Sequence, residues 1–135
     1  MESRLSREKA IEASISAISG KLPGEWHGKV GEKKAKFFIE KTGNQLSGKV
    51  VYEDVEEKLS VDFKSVKDDI IIILKGISYK RLNGGSRGSF SLDTFYGELS
   101  IAGRYISGGY IDTAGNKGKW SASKATSPLV NIEGE

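Results

Sequence analysis

Apolar residues along the chain change their period once. Near the N-terminus Ile11, Ile15 and Ile18 recur at i, i+4 and i+7, with Leu22 one turn further, the spacing of one helix face. Ser6 stands where a cap is needed, Gly20 where the helix should end and Pro23 where it should stop, so the pattern predicts a helix over 6–19. Three β-branched residues on one stripe need a surface to cover, and the helix is expected to pack across a sheet or over one open end of it.

From Glu25 the period becomes two. Phe37 and Ile39 share a parity within Lys34–Lys41, Thr42-Gly43-Asn44 makes a turn, and Leu46, Val50 and Tyr52 follow on one face. The alternation is sharpest where Leu59, Val61 and Phe63 oppose Ser60, Asp62 and Lys64, the mark of a half-buried antiparallel strand. Lys67-Asp68-Asp69 turns the chain into Ile70–Ser78, whose isoleucines point to both faces; either the helix or a partner is expected to cover the outer side. Asn83-Gly84-Gly85-Ser86 separates Ile77–Leu82 from a strand carrying Phe90 and Leu92. Further strands are expected around Glu98–Tyr105 and Gly109–Asp112, and Gly115-Asn116-Lys117-Gly118 turns into Lys119–Lys124 with Trp120. Residues 126–135 form a tail, with a short strand around Leu129–Ile132 or none.

Strands joined by short turns, with no helix between them, exclude parallel α/β folds. The expected fold is all-β: an antiparallel up-and-down barrel of about eight strands over residues 25–124, preceded by one helix, with a Greek-key sandwich as the alternative. Glycine supports closure. It recurs on the inward parity of apolar stretches, as in Trp26-His27-Gly28-Lys29-Val30, Leu46-Ser47-Gly48-Lys49-Val50, Phe95-Tyr96-Gly97-Glu98-Leu99 and Ile101-Ala102-Gly103-Arg104-Tyr105. Inward glycines within strands mark bends or close backbone approach.

Gly24-Glu25-Trp26, lying just after a helical segment and opening the first strand, resembles the Gly-x-Trp signature of lipocalins, fatty-acid-binding proteins and avidins. The stretch Gly97–Tyr105, followed by Gly118-Lys119-Trp120-Ser121-Ala122, is similar to the last strands of small bacterial calycin-like barrels. That resemblance implies a meander barrel holding a small apolar or amphipathic molecule. It also implies that Trp26 sits at the closed end, with Lys124 or Arg104 packed over its ring. The fatty-acid-binding Arg-x-Tyr signature has no counterpart, since Arg104 and Tyr105 are adjacent, and no family ligand set is carried over.

Composition narrows the chemistry. The 135 residues, with 17 glycines and 2 prolines, fit one domain spanning 1–135. The longest aliphatic run, Ile70–Leu74, is far short of the roughly 18 residues of a membrane-spanning helix. Glu2, Glu8 and Glu12 interrupt the N-terminus, so no secretory signal is expected there, and a soluble, cytoplasmic protein is expected if the chain is complete as given. There is no cysteine and one histidine, which removes disulfides, thiolate nucleophiles and most metal sites. No catalytic residue, metal or cofactor is assigned. His27 has the parity opposite to Trp26 and should face solvent, and no Gly-x-Ser-x-Gly elbow accompanies it. Glu53, Asp54, Glu56 and Glu57 lack the spacing and glycine of a calcium loop and read as a solvated hairpin connection. The glycine clusters at 83–88 and 115–118 precede strands, not the helix a phosphate loop requires.

The expected function is a non-enzymatic binding module. A small apolar or amphipathic ligand would be contacted by Trp26, Tyr52, Phe63, Tyr105 and Trp120. The alternative is a protein-interaction domain with a solid barrel, motivated by the two-faced isoleucine strand. Lys80, Arg81 and Arg87 lie in a stretch free of acids and are candidates for steering an anionic partner. A net charge of only +3 argues against nucleic acid.

Overall fold

A computed structural model describes residues 4–67, 69–82 and 90–125. One helix precedes eight strands: α1 (Arg4–Lys21), β1 (Gly24–Val30), β2 (Lys33–Thr42), β3 (Gln45–Val51), β4 (Val55–Val66), β5 (Asp69–Arg81), β6 (Asp93–Leu99), β7 (Tyr105–Asp112) and β8 (Lys117–Lys124). Each strand pairs antiparallel with the next, and β8 returns to β1 to close the barrel. The meander is therefore a barrel and not a sandwich.

Closure requires backbones to meet where most side chains would hold them apart. At Gly28 of β1 an added Cβ would run into the Ser121 carbonyl and the Ala122 Cα of β8. Gly97 serves a side chain instead, because a Cβ there would lie 2.8 Å from Trp120 Cζ2. With that space free, Trp120 Nε1 donates to the Tyr96 carbonyl at 3.0 Å. Gly48 also lies within a strand, whereas Gly103 does not. It occupies a turn at φ 76°, so the stretch expected to be a strand over Glu98–Tyr105 is broken by a reversal through Ser100–Arg104. Ser100 Oγ accepts the backbone N–H groups of Arg104 and Tyr105 and fixes that reversal.

The interior is filled by side chains at mid-height. Phe37, Phe95 and Trp120 pack with ring centroids 5.1–5.4 Å apart, each contact adding about 1 kcal/mol beyond area burial. Leu59, Ile72, Leu74 and Ile106 surround them, all buried. The residues expected inward from alternation in β2, β3 and β4 are found inward, but the strand expected to carry Phe90 and Leu92 starts only at Asp93. Asp93 and Phe95 face inward there, and Phe90 and Leu92 precede the strand.

The helix begins at Arg4, two residues before Ser6, so Ser6 is not its cap; Gly20 lies inside its last turn. Ile11, Ile15 and Ile18 form the half-buried stripe, and Ile15 and Ser19 meet Leu46, Val61 and Phe63 at one end of the barrel. Leu22 is fully buried. The junction is tied at three points. Trp26 Nε1 donates to the Leu22 carbonyl at 2.9 Å, Lys124 Nζ donates to the Lys21 carbonyl at 2.6 Å, and the same ammonium lies 5.4 Å from the Trp26 ring centroid. A cation on the last carbonyls also complements the helix dipole. Of the two bases expected near Trp26, Lys124 takes the place. Ile71 and Ile73 stay half-buried on the outer face of β5, which α1 touches. The expected turn at 83–86, Arg87 and the tail at 126–135 lie outside the described residues.

Two glycine replacements separate closure from turn strain. Gly28→Ala should cost about 3 kcal/mol or more, because backbone on the facing strand must move. Gly43→Ala, at φ 63° in open space, should cost only about 1 kcal/mol. Urea unfolding of the two variants checks the difference, which equal losses would contradict.

Candidate functional site

At the end of the barrel away from α1, the inward parity delivers polar groups instead of aromatic ones. β4 enters the barrel as Val55-Glu56-Glu57-Lys58-Leu59, so Glu57 falls on the face of Val55 and Leu59. Glu57 is 0% exposed, which corrects its placement in a solvated hairpin. Its neighbour Glu56 is outward and pairs with Lys49 and Lys80 at 3.6 and 3.7 Å. Gly76 of β5 faces Glu57, and any Cβ on it would collide with the carboxyl. That glycine makes the space in which Glu57 is held.

Asp93, the first residue of β6, meets Glu57 over Gly76 of the intervening β5. Its backbone N–H donates to Glu57 Oε2 at 2.7 Å, and its Oδ2 accepts the Tyr52 hydroxyl at 3.1 Å. Glu57 Oε1 is buried with no hydrogen-bond partner among the described residues. Burial pushes the Glu57 carboxyl from its ordinary 4.5 up to about 9, and the Asp93 side chain adds to the rise. Burial raises Asp93 as well, but hydrogen bonds from Glu57 and Tyr52 and the charge of Lys33 oppose it. With its carboxyl pushed up to about 9, Glu57 carries a proton at neutral pH. Burial, then the neighbouring carboxylates, hold the Tyr52 hydroxyl protonated and able to donate.

Above this cluster is a mouth of about 440 Å³ lined by Val30, Lys33, Tyr52, Phe90, Asp93 and Tyr110, among others. The Phe90 ring bridges Tyr52 and Tyr79, at 6.1 and 5.1 Å. Lys33 Nζ lies 5.9 Å from the Tyr52 ring centroid. Asp112 is at the rim, where its carboxylate accepts Ala114 N, Asn116 N and Asn116 Nδ2 at 2.9–3.0 Å. These bonds, the Asn116 side chain first, hold it below the usual carboxylate range. The mouth thus combines aromatic faces with three acidic residues, Glu32, Asp93 and Asp112, and one lysine, Lys33. Among the described residues no group of three or more acids and histidines is arranged around a metal position.

The residues expected to contact a ligand do not converge. Tyr52 is in the mouth, Trp120 at the packed centre, and Trp26 and Phe63 at the helix end. Tyr105 is 46% exposed on the outer wall, because Ile106 takes the inward position in β7. Lys80 pairs with Glu56, and Arg81 sits 5.6 Å from the Tyr79 ring centroid. His27 faces solvent and bonds Glu25. Glu57, Asp93, Phe90 and Tyr110 were missed as a group. The signal for Glu57 was its parity with Val55 and Leu59, outweighed by the acidic run around it. Compared with protein-family models, curated proteins and solved structures, the chain has no match in any of the three.

The proton on Glu57 has a consequence for stability. Between pH 4.5 and about 9 the folded chain holds a proton that the unfolded chain releases, so stability falls as pH rises through this window. Glu57→Gln keeps the shape and removes the titration. It should raise Tm at pH 8 by ~5 °C or more and leave Tm near pH 4 unchanged. Melting curves at both pH values check this, and a parallel offset at the two would contradict it.

Proposed function

We propose that the chain is a calycin-like, non-enzymatic binding barrel whose ligand is a small amphipathic molecule seated in the mouth, above the packed interior. The observation that carries this reading is the mouth floored by the Tyr52–Asp93 hydrogen bond and walled by Phe90 and Tyr110. Its volume is within the range of small-molecule sites, and apolar walls with a few fixed polar groups are what such sites use. The filled centre argues against a long acyl chain running down the barrel.

The charge of the mouth selects the polar end of the ligand. Asp93 and Asp112 outnumber Lys33, and aromatic faces attract cations. The preferred ligand is therefore an amine with an apolar body. Tyr52 and Asp93 orient the ammonium, while Phe90, Tyr110 and Val30 cover the apolar part. The paired carboxyls are read as structural groups and not as the acid and base of a reaction, because Glu57 is closed off from solvent.

A second reading, a protein-interaction domain with a solid barrel, is favoured by the aromatic centre and by Ile71 and Ile73, half-buried on the outer face of β5. Titrating the protein with aryl-alkyl amines and with carboxylates of matched size, followed by two-dimensional NMR, distinguishes the two. Binding of the amines with shifts at Tyr52, Phe90 and Tyr110, weakened about tenfold or more by Asp93→Asn, is expected. A mouth inert to both classes, or one preferring carboxylates, would overturn the first reading.

A further inference from the structure

In the folded protein a basic cluster forms on the outer wall of β8, β1 and β2. There the outward parity presents Lys117 and Lys119 from β8, Lys29 from β1, and Lys34 and Lys36 from β2. Register sets Lys29 directly against Lys34 and His27 directly against Lys36. Like charges opposed across two strands destabilise a sheet, and none of these five lysines has an ion-pair partner among the described residues. The nearby acids do not neutralise the wall, since Glu25 is bonded to His27 and Glu53 only borders it.

The wall is also recessed. One depression, of about 720 Å³, is lined by Lys29, Tyr105, Ser107, Gly109, Lys119 and Ser121. A second, of about 650 Å³ on the other side of β1, has Lys29, Lys34 and Lys36 along it. Lys29 belongs to both, so the two form one track across five strands. The floor of the first is made of glycine and serine, which lets a planar group approach the sheet. Tyr105, 46% exposed, stands at its edge, and Tyr96 is 44% exposed on the neighbouring β6.

We propose that this wall binds single-stranded nucleic acid, with Lys29, Lys34 and Lys119 on phosphates and a base stacked on Tyr105. A cationic track beside exposed aromatics is the arrangement by which proteins hold single strands without reading sequence. The modest net charge bears less on this than its distribution does, because five lysines meet on this wall while Glu56, Asp62 and Glu98 face outward elsewhere. The five lysines of the site do not line the mouth, and the proposal does not depend on the mouth's ligand.

Fluorescence anisotropy with a labelled homopyrimidine strand of about 15 nucleotides tests it, at several salt concentrations. Micromolar binding is expected, with log K falling against log salt by about 0.7 per phosphate contacted, or roughly 2 for three contacts. Lys29→Glu/Lys34→Glu should weaken binding by about tenfold or more and flatten the slope. Tyr105→Ala should weaken it by roughly fivefold or more while leaving the slope unchanged. Lys64→Glu/Lys75→Glu, the same charge change on β4 and β5, should have little effect, and circular dichroism should show every variant folded. Absence of strand binding would overturn the proposal, as would equal weakening by the control pair. So would preferential binding to phosphatidylserine vesicles through the fully exposed Ile101, abolished by Ile101→Ser.

Discussion

Pairing of β1 with β8 is the constraint on which the rest of this structure depends. Once those strands meet, at the point where Gly28 lets their backbones touch, every inward residue of eight strands loses water together. Most of those residues are apolar and gain by it. Glu57 and Asp93 do not, and their behaviour follows from closure. A carboxyl removed from water is cheaper to keep neutral than charged. The buried pair therefore retains a proton that neither residue would hold on the surface.

The two ends of the barrel then differ in kind. At the α1 end, the last helical carbonyls are satisfied by Trp26 and Lys124, and the interior beneath is apolar. At the other end, no helix covers the barrel among the described residues, and hydrogen bonds fix Tyr52 and Asp93 at the floor of an aromatic-walled mouth. The interior between is too well filled by Phe37, Phe95 and Trp120 to connect them. The two surfaces proposed for recognition are the mouth and the outside of the wall. These two surfaces have opposite charge character, acidic with aromatic faces in one case and basic with a tyrosine at its edge in the other.

Much of this was legible from alternation alone. The N-terminal isoleucine stripe, the strands through Lys41 and the hairpin of β4 and β5 follow from period and parity, and closure follows from inward glycines and short turns. The errors have local physical causes. Glu57 carries its charge within a run of acids, and parity was the better guide than charge density. The strand expected to carry Phe90 and Leu92 starts only at Asp93, because Phe90 is apolar but packs sideways on Tyr52 and Tyr79 ahead of the strand. Alternation alone points Tyr105 inward, but the reversal at Ser100–Arg104 resets parity and turns it outward. The basic wall was invisible as a run of residues, since its lysines come from three strands joined only by register.

The central claim is that closure leaves Glu57 protonated at neutral pH. A carbon-13 NMR titration of the side-chain carboxyls, with Glu57 assigned by its loss in Glu57→Gln, measures it directly. The resonance should stay at the position of the neutral acid through pH 7 and move only near pH 9. A midpoint close to the ordinary 4.5 would mean that water reaches this carboxyl, and would contradict both the filled interior and the proton-sharing pair.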